Sequence, residues 1–352
     1  MSDYIAVGNT GYFTLLNNSS GSVSLASTYT LPASWNAVGG VKFSSDDAYI
    51  AMAHQGSSFF TLLNHSSGSV SLASTYALSQ TGYSCSFSSD DGYIAIGFHV
   101  DPYFTLLNHN SGSVSLSTTY TLPGRAGGTS FSSDDTYIAV AHYITPYFTL
   151  LNHSSGSVSL ASTYILMNQG FGVGFSSDDT YIAVVNGFTA PYFTLLNHSS
   201  GSVSLASTYT LSGPGNSVSF SSDDTYIAVA HAITPYFTLL NHSSGSVSLA
   251  STYTVSNTGQ GVSFSPDDVY IAVAHFTTPF FTLLNHNSGS VSLSTTYTLT
   301  GNGISVDFSN PAPVIPATIG IKLSGTFTDK PLMIKKSGTF TQASNIQGGG
   351  WT

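Results

Sequence analysis

Glutamate is absent from this chain, and charge of either sign is scarce: 6 Lys+Arg stand against 16 acids, all aspartate, in 352 residues. Glu, Lys and Arg are the long helix formers that line exposed helix faces, so their near-absence excludes a large helical domain. A formal charge of −10 with no basic cluster leaves nothing to neutralise phosphates, which excludes a nucleic-acid binder. A single cysteine, Cys85, excludes an intramolecular disulfide and a cysteine-cage metal site. No apolar run approaches the roughly 18 residues of a membrane-spanning helix. The opening Met1-Ser2-Asp3-Tyr4-Ile5-Ala6-Val7 reads as strand and not as a secretory leader. Neither membrane insertion nor signal-directed export is therefore expected. Ser, Thr, Tyr, Phe, Val and Gly fill the gap, and these are residues of strands and tight turns. The composition is that of an all-β protein.

Repetition dominates what is there. Phe-Thr-Leu-Leu-Asn begins at Phe13, Phe60, Phe104, Phe148, Phe193, Phe237 and Phe281. One unit contains Val-Ser-Phe-Ser-Ser-Asp-Asp (218–224), Tyr-Ile-Ala-Val-Ala-His (226–231), Tyr-Phe-Thr-Leu-Leu-Asn (236–241) and Val-Ser-Leu-Ala-Ser-Thr-Tyr-Thr (247–254). These are four strand-like segments, here a to d, separated by turn residues. Four strands in a period of about 40–45 residues are the mark of propeller blades.

The segment order resembles a WD/YVTN-type β-propeller over residues 4–308. Phe-Ser-Ser-Asp-Asp, and Phe-Ser-Pro-Asp-Asp at 264–268, stand where that family has Phe-Ser-Pro-Asp-Gly; the Trp-Asp and Gly-His pairs are missing. The chain enters in strand b (Tyr4 to Val7), and a last innermost strand, Ile304 to Phe308, follows the seventh strand d. That strand is expected to complete the first blade, giving a seven-bladed ring over 1–309 closed by a C-terminal strand. Lys42 and Asp307 fall at equivalent innermost positions of adjacent blades, where the other copies have Ser or Gly, and are expected to pair at this closure.

The a–b and c–d turns are nearly constant between copies, whereas the d–a and b–c loops differ. In a propeller those two variable loops share one face, so recognition is expected there, around Trp35, Tyr83, Arg125, Phe171 and Phe188. The six Asp pairs, from Asp46/Asp47 to Asp267/Asp268, read as turn caps. Six turn histidines (His65, His109, His153, His198, His242, His286) and four at the end of strand b (His54, His142, His231, His275) read as hydrogen-bonding groups; no metal and no cofactor is expected. Cys85 aligns with valines of the innermost strand and reads as core. The resemblance covers propellers that are lactonases or dehydrogenases, which need central acid, Arg or metal groups. Ser86, Ser130, Gly174, Ser219 and Ser263 offer no general base, so a non-enzymatic protein is expected.

Residues 310–352 break the pattern. They carry +3, from Lys322, Lys330, Lys335 and Lys336 against Asp329, where residues 1–309 carry −13. A Pro-rich spacer leads to Ile-Lys-Leu-Ser-Gly-Thr-Phe-Thr (321–328) and Ile-Lys-Lys-Ser-Gly-Thr-Phe-Thr (334–341). These resemble short repeats that close bacteriophage structural and tail proteins. Ile321, Phe327, Ile334, Phe340 and Trp351 are the expected assembly residues of this tail. The outermost strands carry no Lys, Glu or Pro, and so read as unprotected edges to which such a tail could add. The resulting expectation is a homo-oligomeric virion component, held to other subunits by its tail and touching a host glycan or receptor through its variable loops. An extracellular filament subunit and a free lectin are the alternatives.

Overall fold

The computed structural model describes residues 3–31, 38–56, 58–310, 333–336 and 339–342. Residues 1–312 and 313–352 form two units. In the second, Met333–Lys336 pairs antiparallel with Thr339–Gln342. The first contains seven four-stranded antiparallel sheets. Blade 4 is representative: Ala126–Phe131 (a), Tyr137–His142 (b), Tyr147–Ser154 (c) and Ser157–Ile165 (d). Innermost strands a from all seven blades surround one central channel. The ring is a seven-bladed β-propeller.

Strand b explains why the blades stack. Ile138, Ala139, Val140 and Ala141 are all fully buried, as expected of a strand covered on both faces. Ile138 and Val140 pack on Ala95, Phe104 and Leu106 of blade 3. Ala139 and Ala141, with Phe148 and Leu150, pack instead on Ile182 and Val184 of blade 5. The core is thus divided into interfaces between blades. Glycine lets the innermost strands approach: a Cβ on Gly127 or Gly128 would sit 2.8 Å from the Phe171 carbonyl oxygen of the next blade.

Blade 1 has no strand a of its own from the N-terminal side. Gly303–Phe308 pairs with Asp3–Asn9 to supply it. The two chain segments meet as a continuous turn would: Ser309 N–H donates to Tyr4 O at 2.9 Å, and Tyr4 N–H donates to Ser309 Oγ at 2.8 Å. Ser44 and Tyr49 make the same two bonds within the intact turn of blade 2.

The face carrying the a–b turns, the bottom, is laced from blade to blade. In blades 3 to 7 the second Asp of the pair accepts from the preceding blade's serine: Ser89 N–H and Oγ–H donate to Asp135 at 2.6 and 2.8 Å, and Ser177 donates to Asp224 at 2.8 and 2.7 Å. From blade 1 to blade 2, Asn310 N–H donates to Asp47 at 2.8 Å. The seam from blade 7 to blade 1 differs. Pro266, without an N–H, replaces the serine there, and the blade 1 turn has no paired aspartates. This proline thus stands where the sequence of the next turn offers no second aspartate.

Two irregularities recur in every blade. Strand d carries a β-bulge opposite strand c, for instance where Leu150 faces Ser162 but Leu151 faces Leu160. Bulges are one of the devices that protect sheet edges. The outer strands, expected to be unprotected because they lack charge and proline, carry this one such device in every blade. The second bulge lies in strand a and shapes the site.

Candidate functional site

In strand a of blade 3, Gly82 faces Phe98 and Ser84 faces Gly97, which leaves Tyr83 as the extra residue. The same shift leaves Gly39, Gly127, Phe171, Asn216 and Gln260 as extra residues in blades 2, 4, 5, 6 and 7, and Ile304 in blade 1. A bulge re-aims a side chain that strict alternation would point elsewhere. All seven line the channel, and all seven share a cavity of about 350 Å³ at its top mouth. The next positions down, Gly40, Ser84, Gly128, Gly172, Ser217, Gly261 and Ser305, are small. The mouth is the one level of the channel where every blade but two presents a different side chain.

The mouth has two halves. Tyr83 and Phe171 stand on one side, Asn216 and Gln260 on the other. The residue after strand b adds a second tier, with Gln55, Tyr143 and Phe276 lining the same cavity. Its backbone N–H is anchored to the start of the blade: Tyr143 to Arg125 O and His99 to Thr81 O, each at 3.1 Å. Asn216 Nδ2 donates to Gly259 O at 2.8 Å.

Four of the five recognition residues expected from sequence come together on the aromatic side. Arg125 lies over the Tyr143 ring, 3.6 Å from its centroid, and 5.5 Å from that of Tyr83. Tyr143 packs edge-on against Phe171 at 4.9 Å, and Phe171 meets Phe188 at 6.1 Å. Tyr83 Oη lies 3.5 Å from Arg125 Nη1 and 3.3 Å from His99 Nδ1. One phenol oxygen thus joins a guanidinium and an exposed imidazole. Burial pushes the Tyr143 hydroxyl up to about 12, so Arg125 rests on a neutral ring. Arg125 has no carboxylate partner among the described residues. Trp35 lies outside the described residues.

Sequence reasoning missed His99, Tyr143, Asn216 and Gln260. It placed Tyr83 and Phe171 in loops, whereas both belong to strand a. The bulge is the cause, since period-2 counting from Lys42 points these residues into the blade. The available signal was the variability of that position among copies that are otherwise nearly identical.

Deeper in the channel, Lys42 Nζ lies 2.6 Å from Asp307 Oδ1, and the other carboxylate oxygen accepts from Phe43 N–H at 2.9 Å. Burial alone would lower the Lys42 pKa, but the adjacent Asp307 carboxylate outweighs it and raises it. Burial pushes the Cys85 thiol up to about 12, so it remains protonated and serves as channel wall. On the bottom face, His153 Nδ1 lies 2.7 Å from Asp135 O while Nε2 accepts from Gly156 N–H at 3.3 Å. His65, His109, His198 and His286 repeat both bonds, while His242 repeats only the first, to Asp224 O. Among the described residues no group of three or more His, Cys or Asp side chains is placed to hold a metal ion. Ile334 and Phe340 fall in the two short strands of the second unit; Ile321, Phe327 and Trp351 lie outside the described residues.

No family model matches this sequence, and no curated protein matches it. Solved structures do match the ring. A protein of Bacteroides uniformis described as a candidate 6-phosphogluconolactonase superposes with a TM-score of 0.76 at 10% identity, over 87% of this chain and 99% of that one. Its counterpart from Bacteroides fragilis gives 0.77 at 11%, over 88% and 98%. A periplasmic gluconolactonase of Pseudomonas aeruginosa gives 0.73 at 13%, over 88% and 99%. At such identities the likeness establishes the fold. It also corrects the expectation of a non-enzymatic virion component, because whole-ring neighbours carry lactonase names and a phage structural role finds no support among them. The expected lack of a general base was read from the serine-lined level of the channel alone; the exposed His99, beside Tyr83 at the rim of the mouth, lies above it. The chain is a seven-bladed propeller of the same architecture as these lactone-named proteins.

Proposed function

We propose that this protein hydrolyses a lactone at the top mouth of its channel. The observation that carries the reading is the Tyr83 oxygen held between Arg125 and His99 beside an aromatic wall. If Nδ1–H of His99 and Nη1–H of Arg125 both donate to that oxygen, Nε2 of His99 keeps a free lone pair. Nε2 then takes a proton from water as its oxygen adds to the lactone carbonyl carbon. The outer edge of the Arg125 guanidinium stabilises the oxyanion. As the ring C–O bond breaks, the departing alkoxide recovers the proton from Nε2, leaving a hydroxy acid. A positioned base contributes on the order of 10²–10⁴ in rate, and an oxyanion partner about 10²–10³. Phe171 offers a face for the ring, while Asn216 and Gln260 face its oxygen substituents.

Acid release should be followed in a pH-stat with glucono-δ-lactone and δ-valerolactone. Turnover above the spontaneous rate is expected, with a loss of at least tenfold in His99→Gln and in Arg125→Gln. Lys42→Met, below the mouth, should keep the activity. Release no faster than background with both lactones, or an undiminished His99→Gln variant, would defeat this assignment.

A further inference from the structure

We infer that the lactone carries a hydrocarbon arm, and that Phe171, Phe188 and Met167 form the shelf on which it lies. This rests on the lactone reading for the ring itself; the shelf rests on separate observations. Blade 5 has a b–c loop one residue longer than those of blades 3, 4, 6 and 7, and the loop begins Gly187-Phe188. Phe188 is 67% exposed, with a φ of +63° that L side chains rarely adopt. It is nevertheless held in place: Gly187 N–H donates to Gln169 O at 3.0 Å, and Asn168 Nδ2 donates to Thr189 Oγ1 at 2.6 Å. Gly187 is itself required, because a Cβ there would collide with the Phe171 ring.

The preceding d–a segment departs from the repeat in the same direction. Met167 is 68% exposed where the other copies have Pro32, Ser79, Pro123, Ser212, Ser256 and Thr300. Copies this similar show no structural need for a bulky apolar group there. These departures adjoin one another through the Asn168–Thr189 bond, and they continue the aromatic wall outward from Phe171. Exposed apolar surface joined to a polar cavity suits a ligand with both characters. Continuity with the mouth makes the occupant the substrate's own arm.

Binding of non-hydrolysable δ-lactams bearing no chain, a butyl chain or an octyl chain should be measured by calorimetry on the full chain. A fully buried methylene is worth about fourfold in affinity, so a chain lying on an open shelf should gain about twofold per methylene. Phe188→Ser and Met167→Ser should flatten that dependence without weakening the unsubstituted lactam. Affinity independent of chain length, an undiminished slope in Phe188→Ser, or no lactam binding at all would overturn the shelf. So would a concentration-dependent dimer in sedimentation that Phe188→Ser abolishes, since a second copy would then be the occupant. Chain-length-dependent binding without turnover of any lactone would leave the shelf standing and remove only the hydrolase. Turnover without chain-length dependence would do the reverse.

Discussion

The two faces of the ring are built by opposite rules. On the bottom, one Ser–Asp clamp is copied from blade to blade, and the turn histidines pack edge-on against Tyr and Phe rings again and again, as in Tyr93–His153 and Tyr137–His198. On the top, the bulged residue of the innermost strand differs in all blades but the two that carry glycine: Gly39, Tyr83, Gly127, Phe171, Asn216, Gln260 and Ile304. A repeated contact stabilises an architecture that is itself repeated. A single ligand in one central mouth needs side chains that are not. In a repeat protein, departure from the repeat is itself a signal once packing has explained the constant positions.

The largest test of the contrast uses acid. Burial pushes His142, His231 and His275, at the top ends of strands b, down to about 4. Their folded pKa lies below the unfolded value of about 6.5, so neither state binds their protons above that pH. Between about pH 6.5 and 4 the unfolded chain takes up protons that the folded ring refuses. Stability should therefore fall as pH drops, by up to about 1.4 kcal/mol per pH unit for each histidine. The bottom responds later. Burial alone would raise Asp134, Asp178 and Asp223, but backbone N–H and hydroxyl donors such as Thr136 and Ser132 hold them below the usual range. Their contribution is complete above the ordinary carboxylate pKa and is lost only as pH falls through the depressed one. Urea midpoints measured against pH should show both phases. Exchanging the three histidines for asparagine, which blade 5 already uses at Asn186, should remove most of the first phase and leave the part due to His54, whose pKa burial also lowers; an unaltered slope would refute this origin.

A proline exchange addresses the clamp next. Ser177→Pro places proline where blade 7 already accepts Pro266, so the backbone tolerates it. It should cost about 1 kcal/mol through the lost donors to Asp224. The converse, Pro266→Ser, should shift stability by less than about 0.5 kcal/mol, because no paired aspartate waits across that seam. Equal effects from the two exchanges would show that the clamp contributes nothing. Asp307→Asn should cost about 1 kcal/mol, since Lys42 is half exposed and solvent screens the pair. Adding 0.5 M salt should lower wild-type stability more than that of the variant. Phe188→Ser, on the top, should move the melting temperature least of all.

Much of the fold could be read from residues alone. Seven Phe-Thr-Leu-Leu-Asn strings placed seven blades, and the surplus strand at Ile304 placed the closure. The same alignment set Lys42 beside Asp307, and they meet at 2.6 Å. Cys85 followed from its valine counterparts. The mouth was legible only in part. Tyr83, Arg125, Phe171 and Phe188 stood out as bulky residues in variable stretches, yet His99 looked like one histidine among eleven and Asn216 and Gln260 like turn residues. No alternation rule foresees a bulge, because the extra residue is defined by its partner strand. The bulge in strand d was hidden for the same reason.

The closure of blade 1 has a consequence for how the ring is made. Strand b at Asp3–Asn9 is synthesised ahead of its innermost partner, Gly303–Phe308, by almost the whole length of the ring. At a synthesis rate of about 5–20 residues per second, that edge waits roughly 15 to 60 s for its mate. Meanwhile six other innermost strands emerge, each ending in the same Phe and each able to offer a similar ladder. Only the true partner brings Asp307 to Lys42 and Asn310 to Asp47. Those two contacts, small in energy, act as an address label by which a chain of near-identical copies recognises its own last strand.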